Sequence, residues 1–563
     1  MSSRRRGIAP STEPPAPGHS GWPLLAALAG GIIAVAVAWF AFSGSFGTEG
    51  EPQTHRYTEA VVGAPSRVNP LFAHLNDADR DLASLIFSGL TRLGADGEVL
   101  PDLAETWDIS EDGRNVTFHL RSGVTWHNGT PFTAEDVIFT YSLLADPKLA
   151  GDPDQEPLWR RLACSAPDEL TVACQLPEPF APFPAYASIG ILPKHLLDGT
   201  DGTAISTSDF NGQPIGTGPY RLINLDQSRA LLRANDDYHF GAPPLAEIEL
   251  LFYSDVTTAS AAVLGGQAQG VVIDPTSSAD DYEALSAVDG LKAYEMHRSA
   301  FTVLYFNTAE APLNDAAVRH AIAETVDVDE IIDSLPGRKA VRADSPIVVG
   351  TWAHNPDAEP FRRDPRSARD LLDEAGWTLT GNARVRSRNN VELRMTLLTD
   401  QDPVRGIVAE AVAQQLSDIG MSVTLAREES TDLIGNFLIP RQYQAAVFGW
   451  DPGPDPDPYP AWHSSQARDS GRNLAAYANE QADNLMEEAR RTSDLDERQR
   501  LYFAFQDIFR EDVPSLLLYH PVITYFVTAQ IQNLNLGVLF NNSSRFRNVH
   551  EWVFEERTEI GEP

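Results

Sequence analysis

Alternation of apolar and polar residues is clearest between residues 111 and 144. A turn at Glu111-Asp112-Gly113 precedes Val116, Phe118 and Leu120, the period-two pattern of a half-buried strand. Ser122-Gly123 and His127-Asn128-Gly129 mark two further turns around Val124 and Trp126. Thr133-Ala134-Glu135-Asp136 has the form of a capping box, and Val137, Tyr141 and Leu144 fall on one face of the helix it would open. The pattern predicts a strand, a hairpin and a capped helix in that order.

The same reading extends along the chain. A strand is expected near residues 57–63 and a helix near 79–90. Strand residues Tyr220 and Leu222, then Leu231 and Ala234, follow the turn Gly216-Thr217-Gly218-Pro219. Those glycines suit positive φ in a tight turn. Residues 304–308 are strand-like. Residues 366–377 place Ala368, Leu371, Leu372 and Ala375 on one face and stop at Gly376. A second such helix at 407–419 stops at Gly420, and a strand at 423–425 follows. Strands alternating with helices predict an α/β architecture with mixed sheets. No fixed-period repeat is present.

Particular residues add to the pattern. Ala104, Trp107, the run Thr117 to Trp126, Gly129, Pro131 and Thr133 to Phe139 occur in the order A-x-x-W, T-F-x-L-R-x-G-V-x-W, N-G-x-P, T-A-x-D-V-x-F. Phe87-Ser88-Gly89-Leu90, Gly216-Thr217-Gly218-Pro219-Tyr220, Phe306-Asn307-Thr308, Val318-Arg319-His320-Ala321-Ile322 and a late Pro514…Leu518-Tyr519 complete the series. The chain resembles the bacterial family 5 solute-binding proteins, receptors of peptide-type ABC importers, from about residue 55 to 555. The resemblance implies a two-lobed periplasmic-binding-protein-like fold (class II, mixed sheets), with crossovers near 302–307 and 516–522. Lobe I would comprise 57–102, 191–300 and 530–563, with an added subdomain at 103–190; lobe II would comprise 301–529.

Composition narrows the address. The chain has 563 residues, 42% of them hydrophobic, and a formal net charge of −36. That acidity opposes binding to phosphate backbones, so a nucleic-acid partner is not expected. Residues 22–42 carry no charge and are long enough to span a bilayer. Arg4-Arg5-Arg6 before them predicts a cytoplasmic tail at 1–21, one transmembrane helix, a linker at 43–56 and an extracytoplasmic remainder. A cleaved signal peptide, giving a secreted or periplasmic protein, is the alternative. Cys164 and Cys174, the two cysteines, flank a turn at 166–169 in a predicted hairpin; an exterior address permits their disulfide.

No catalytic arrangement stands out. GxSxG, HExxH and CxxC are absent, and Gly216-Thr217-Gly218 completes no phosphate-binding motif. No enzyme activity, cofactor or metal site is expected. The candidate site is the segment Val447-Phe448-Gly449-Trp450-Asp451-Pro452-Gly453-Pro454-Asp455-Pro456-Asp457-Pro458-Tyr459. In peptide-binding relatives such a strand end and acidic loop line the cleft, and an aspartate receives the peptide's α-amino group. Asp451 is the nearest match, Asp455 the fallback; both also suit a surface turn. Trp450 would offer a flat face to ligand or serve as a core aromatic. Arg405 lies near the place of a carboxylate-binding arginine, or is a solvated helix start. Asn473 and Tyr477 match N-x-x-x-Y after the loop and would support the pocket. The resemblance implies a monomeric receptor that passes peptides to permease and ATPase subunits. A nickel chelate, an oligosaccharide or a permease-independent sensory role are the alternatives.

Overall fold

The structure, a computed structural model, describes residues 56–153, 155–274 and 278–555. The expected tail, membrane span and nearly all of the linker lie outside the described residues. Among those described, no helix is long and apolar enough to cross a membrane.

The organising element is the strand Ser515–Thr528, 14 residues long and buried over almost its whole length. Both faces of such a strand need cover, which explains its near-continuous apolar run. Its first part, from Ser515 to Tyr519, pairs antiparallel with Phe301–Phe306. Its second part, from Val522 to Thr528, pairs with Leu291–His297 on one edge, and residues 524–527 pair with Gly270–Ile273 on the other. One 12-stranded sheet therefore runs through the molecule. Beyond Phe301–Phe306 it continues into Ala445–Trp450, Arg394–Thr399 and Ser422–Arg427, the last three mutually parallel. Beyond Gly270–Ile273 it continues into Arg56–Val62, Glu247–Tyr253, Arg229–Ala234 and Tyr220–Leu225.

Large separate cores flank this strand. Tyr525, Val527 and Met296 join Tyr57, Leu82, Phe118 and Trp126 in the first. Leu516 and Leu518 join Leu304, Val408 and Leu416 in the second, and Leu517 joins Trp462 and Phe505 in a third beside it. Where the strand changes partners, His520 donates Nδ1–H to Ala300 O at 2.9 Å and accepts the Val349 N–H at Nε2. Burial lowers its pKa to about 3, and the nearby His297 acts in the same direction.

The expected strand and helix of residues 111–144 occur as Asn115–Leu120 and Ala134–Leu144, with the Thr133–Asp136 capping box formed; in place of the expected hairpin there is a single isolated antiparallel bridge between Thr125 and Pro131. Asn115–Leu120 lies inside a separate four-stranded sheet with Ala104–Ile109, Thr171–Gln175 and Ala163–Asp168. Cys164 and Cys174 face each other across its last pair and are joined as a disulfide. The helices expected at 366–377 and 407–419 are Pro365–Glu374 and Pro403–Ser417, both N-capped by aspartate.

Gly216 and Gly218 correct an expectation. Neither has positive φ. They are glycines because the turn presses on the end of helix Asp77–Ile86, where a β-carbon at Gly216 would stand 1.8 Å from Ile86 O. Close approach, not backbone handedness, fixes the motif.

Candidate functional site

Strand Ala445–Trp450 delivers the candidate segment to the point where the long strand changes partners. Trp450 pairs in register with Phe301, and the two rings stack at 5.1 Å with a 14° interplanar angle. Trp462 meets Trp450 edge-on at 5.9 Å. Trp450 is half-buried, so one part of the ring packs and another remains open.

Asp451 follows as the strand ends. It is exposed, and its carboxylate accepts the Gly453 N–H at 2.9 Å. No arginine or lysine among the described residues forms an ion pair with it. The surrounding protein nevertheless raises its pKa through desolvation, with the Gly453 bond and the charges of Arg298 and Arg80 opposing that rise. This is an exposed carboxylate with no arginine or lysine paired to it among the described residues.

Arg298 and Arg80 come from the other side of the crossover. Arg298 donates Nη2–H to Asn542 Oδ1 at 3.2 Å, and Asn542 donates to Asp77 Oδ2 at 2.9 Å. Arg80 pairs with Asp77 and donates to His74 O at 2.9 Å. Neither arginine stood out in the sequence. The register of Phe301 opposite Trp450 is what brings Arg298 near Asp451, and that register is visible only in three dimensions.

The other candidates have structural roles. Asp455 is buried and takes Arg498 Nη2–H at 2.9 Å, with Arg498 also held by Tyr502. Its carboxylate is engaged in a buried ion pair behind the loop. Asp457, two residues on, is likewise buried and bonded to Arg490 at 2.7 and 2.6 Å. Two buried aspartates among prolines, Asp455 and Asp457, required counter-charges, and Arg498 and Arg490 on the following helices were the available signal.

Arg405 is committed to Asp400, through Nε at 2.8 Å and Nη2 at 2.6 Å, and lies over the Phe448 ring. Burial opposes its charge, but Asp400 and Asp402 outweigh it and raise its pKa. The side chain is still about one quarter exposed at 26% and stands beside Gly449, so it borders the same strand end as a paired cation. Asn473 is fully buried; it donates to Trp462 O, His463 O and Tyr477 O and accepts from Tyr477 N. The Tyr477 hydroxyl donates a hydrogen bond to Asp512. Both fasten the segment behind the loop.

A model of the middle region of bacterial extracellular solute-binding proteins, family 5, matches residues 98–471. The chain belongs to this family. Among similar family 5 proteins, oligopeptide-binding protein AppA of Bacillus subtilis is 28% identical over 470 residues, covering 82% of this chain and 85% of its own. Protein XP55 of Streptomyces lividans is 30% identical over 503 residues, covering 87% and 89%. The solved structure of AppA with a nonapeptide aligns with TM-score 0.65 at 26% identity, covering 89% of this chain and 99% of that one. NikZ of Campylobacter jejuni, solved with Ni(L-His), aligns with TM-score 0.66 at 26% identity and the same coverages. Family 5 proteins are extracytoplasmic binding components of ABC importers, not enzymes.

Within the family 5 frame, the described residues contain no group of three or more histidines, cysteines or acids arranged to hold a metal ion. Around Trp450 the described residues offer one accessible carboxylate, one aromatic face, and guanidinium groups near them.

Proposed function

We propose that this family 5 protein binds peptides with a free amino terminus between two lobes and hands them to an ABC permease. The observation that carries this reading is Asp451, an exposed carboxylate with no ion-pair partner among the described residues, beside the open part of Trp450. A ligand ammonium would supply a counter-charge, and the raised pKa of Asp451 would fall on binding. Arg298 and Arg80 then suit the carbonyl or carboxylate groups further along the ligand. The lobes would turn about residues 298–301 and 519–522, where the sheet changes partners, and ligand touching both would favour the closed state. The relatives named for oligopeptides support the same class.

Residues 22–42 would tether the protein to the membrane with the binding lobes outside. Membrane fractionation and N-terminal sequencing of the native protein test that part; a soluble product beginning after residue 42 would replace tethering with cleavage.

Calorimetry of the full chain against di- to nonapeptides tests the binding reading, with N-acetylated peptides and nickel–histidine as comparators. Binding of free-amino peptides alone supports it. Binding of nickel–histidine with no response to any peptide overturns it.

A further inference from the structure

Arg298 carries a charge that no acid among the described residues neutralises. Its backbone is fixed on both sides: the N–H donates to Pro521 O at 2.9 Å, and the residue bridges Leu539. The side chain is half-buried. Nη2 donates to the Asn542 amide oxygen at 3.2 Å, and Nε is buried with no hydrogen-bond partner. Asp77, the acid beyond Asn542, is already taken by Arg80 and by the Asn542 amide. Asn542 is therefore a neutral spacer where a carboxylate would have closed an ion pair. The other arginines around the candidate segment are committed: Arg405 to Asp400, Arg490 to Asp457 and Arg498 to Asp455.

A half-buried guanidinium with unused donors is unfavourable for the fold, because lost hydration is only partly replaced. It cannot escape by losing its proton. Its position gives it a use. Strand Leu291–His297 ends immediately before Arg298, and strand Phe301–Phe306 begins three residues after it. Phe301 pairs with Trp450, so Asp451 stands opposite the same short connection. Counted from that pair at the rise of a strand, Asp451 and Arg298 are about 7 Å apart along the strands. The two charges act on one another, since Arg298 opposes the rise in the Asp451 pKa, yet they form no ion pair. About two residues of extended peptide cover such a distance. A ligand ammonium on Asp451 would thus leave a carboxylate one or two residues further along within reach of the guanidinium, which takes carboxylates in two-pronged fashion. The chain's net charge of −36 repels anions, so only a local cation can hold one.

We infer that Arg298 is a specificity-determining residue that binds a ligand carboxylate lying two or three residues from the ligand's ammonium. That carboxylate is the C-terminus of a di- or tripeptide, or an acidic side chain near the start of a longer peptide; the guanidinium reads the group they share. The inference deepens the proposed function and rests on it for the placement of the amino group on Asp451. It needs no movement of the lobes. A ligand lacking the carboxylate leaves Arg298 unpaired in the complex as well, and a site with an unpaired buried donor discriminates strongly against such an analogue.

Calorimetry of the full chain in detergent tests this with di- and trialanine, their C-terminal amides, N-acetyl-dialanine, and a tetrapeptide amide with glutamate or alanine at its second position. The parent should bind a free-carboxylate peptide at least about 30-fold more tightly than its amide, or the glutamate tetrapeptide more tightly than its alanine counterpart by the same factor. The first result assigns the carboxylate to the C-terminus, the second to a side chain. Arg298→Gln should erase the preference, weakening the carboxylate ligand about 30-fold or more while moving its partner by less than about threefold. Arg298→Lys, which keeps the charge but not the fork, should retain part of it. Because the guanidinium has no counter-ion in the free protein, Arg298→Gln should leave the ligand-free unfolding midpoint unchanged or raised, which separates the effect from misfolding. A parent without preference, a preference that survives Arg298→Gln, or equal losses for both members of a pair overturns the assignment. N-acetyl-dialanine bound as tightly as dialanine, with the Arg298 effect intact, overturns the amino-terminal reading of Asp451 and leaves Arg298 as the carboxylate residue. No binding of any of these ligands to the parent overturns both.

Discussion

Arg545 grips Asp81 across 464 residues of sequence, donating Nη1–H to Oδ1 at 2.8 Å with Nη2 on the second oxygen. The same guanidinium gives Nε–H to Glu59 Oε1 at 2.7 Å, and Glu59 also accepts the hydroxyls of Tyr57 and Tyr525. All of these groups are buried. Arg545→Met would leave two carboxylates inside the first core without a cation. It should cost roughly 3–5 kcal/mol, the usual penalty for breaking one side of a buried pair. Denaturant titration of the variant beside the parent measures it.

Acidity should act on this protein in two opposed ways. Burial lowers the pKa of His520 to about 3 and of His127 to about 4, so the folded state keeps both neutral while the unfolded chain takes protons below about 6.5. Their contribution is complete above that value and is lost as pH falls toward 4, at up to about 1.4 kcal/mol per unit for each. Burial raises the pKa of Asp81 to about 6, with Arg545 opposing. Its folded form therefore binds a proton more readily than the unfolded form, and this term improves as pH falls from 6 toward 4. Of these three groups the two histidines outweigh Asp81, and further half-buried histidines, His74, His297 and His550, are shifted the same way, so a net loss of stability on acidification is expected. Melting temperatures from pH 7 to pH 4 should fall, and fall less steeply in His520→Gln.

Asp451 and Asp455 stand four positions apart and should respond oppositely. Asp451→Asn removes an exposed group and should leave stability within about 0.5 kcal/mol while costing roughly 2–5 kcal/mol in affinity for free-amino peptides. Asp455→Asn strands Arg498 in the interior and should cost about 3 kcal/mol or more of stability. Paired calorimetry and denaturation decide it; equal losses of affinity at equal stability would place ligand on both carboxylates.

The disulfide closes a short loop in an edge hairpin, with a sequence separation of 10. Chain entropy assigns such a loop about 2–3 kcal/mol. Replacing Cys164 and Cys174 together by alanine should lower the unfolding midpoint accordingly. Peptide affinity should stay unchanged, because this hairpin makes no contact with Asp451 in the hydrogen-bond and ion-pair network described.

Elements whose cause is local were legible in the sequence. The Thr133–Asp136 capping box and the alternation of Val116, Phe118 and Leu120 depend on neighbours a few positions away, and both formed as expected. The site was legible only in part. Asp451 could be singled out by its position after Gly449-Trp450, but the partners of Asp455, Asp457 and Arg405 decide what those residues do. Asp400 lies five positions before Arg405 and could have been suspected. Arg498 lies 43 positions after Asp455, where no periodicity links them. The glycines at 216 and 218 show the same limit: turn chemistry was visible, whereas the carbonyl of Ile86 against which they pack was not.

The strand Ser515–Thr528 also sets the order in which the chain can fold as it is made. The first core draws on residues near 57 and on Tyr525, Val527 and Phe546, so it lacks its central strand until almost the whole chain has emerged. The second core waits for Leu516 and Leu518 as well. Neither half can finish early and act as a template for the other. Long-range pairing of this kind is slow to form, so the newborn chain stays open for most of its synthesis, the state in which a polypeptide can still be threaded through a narrow pore.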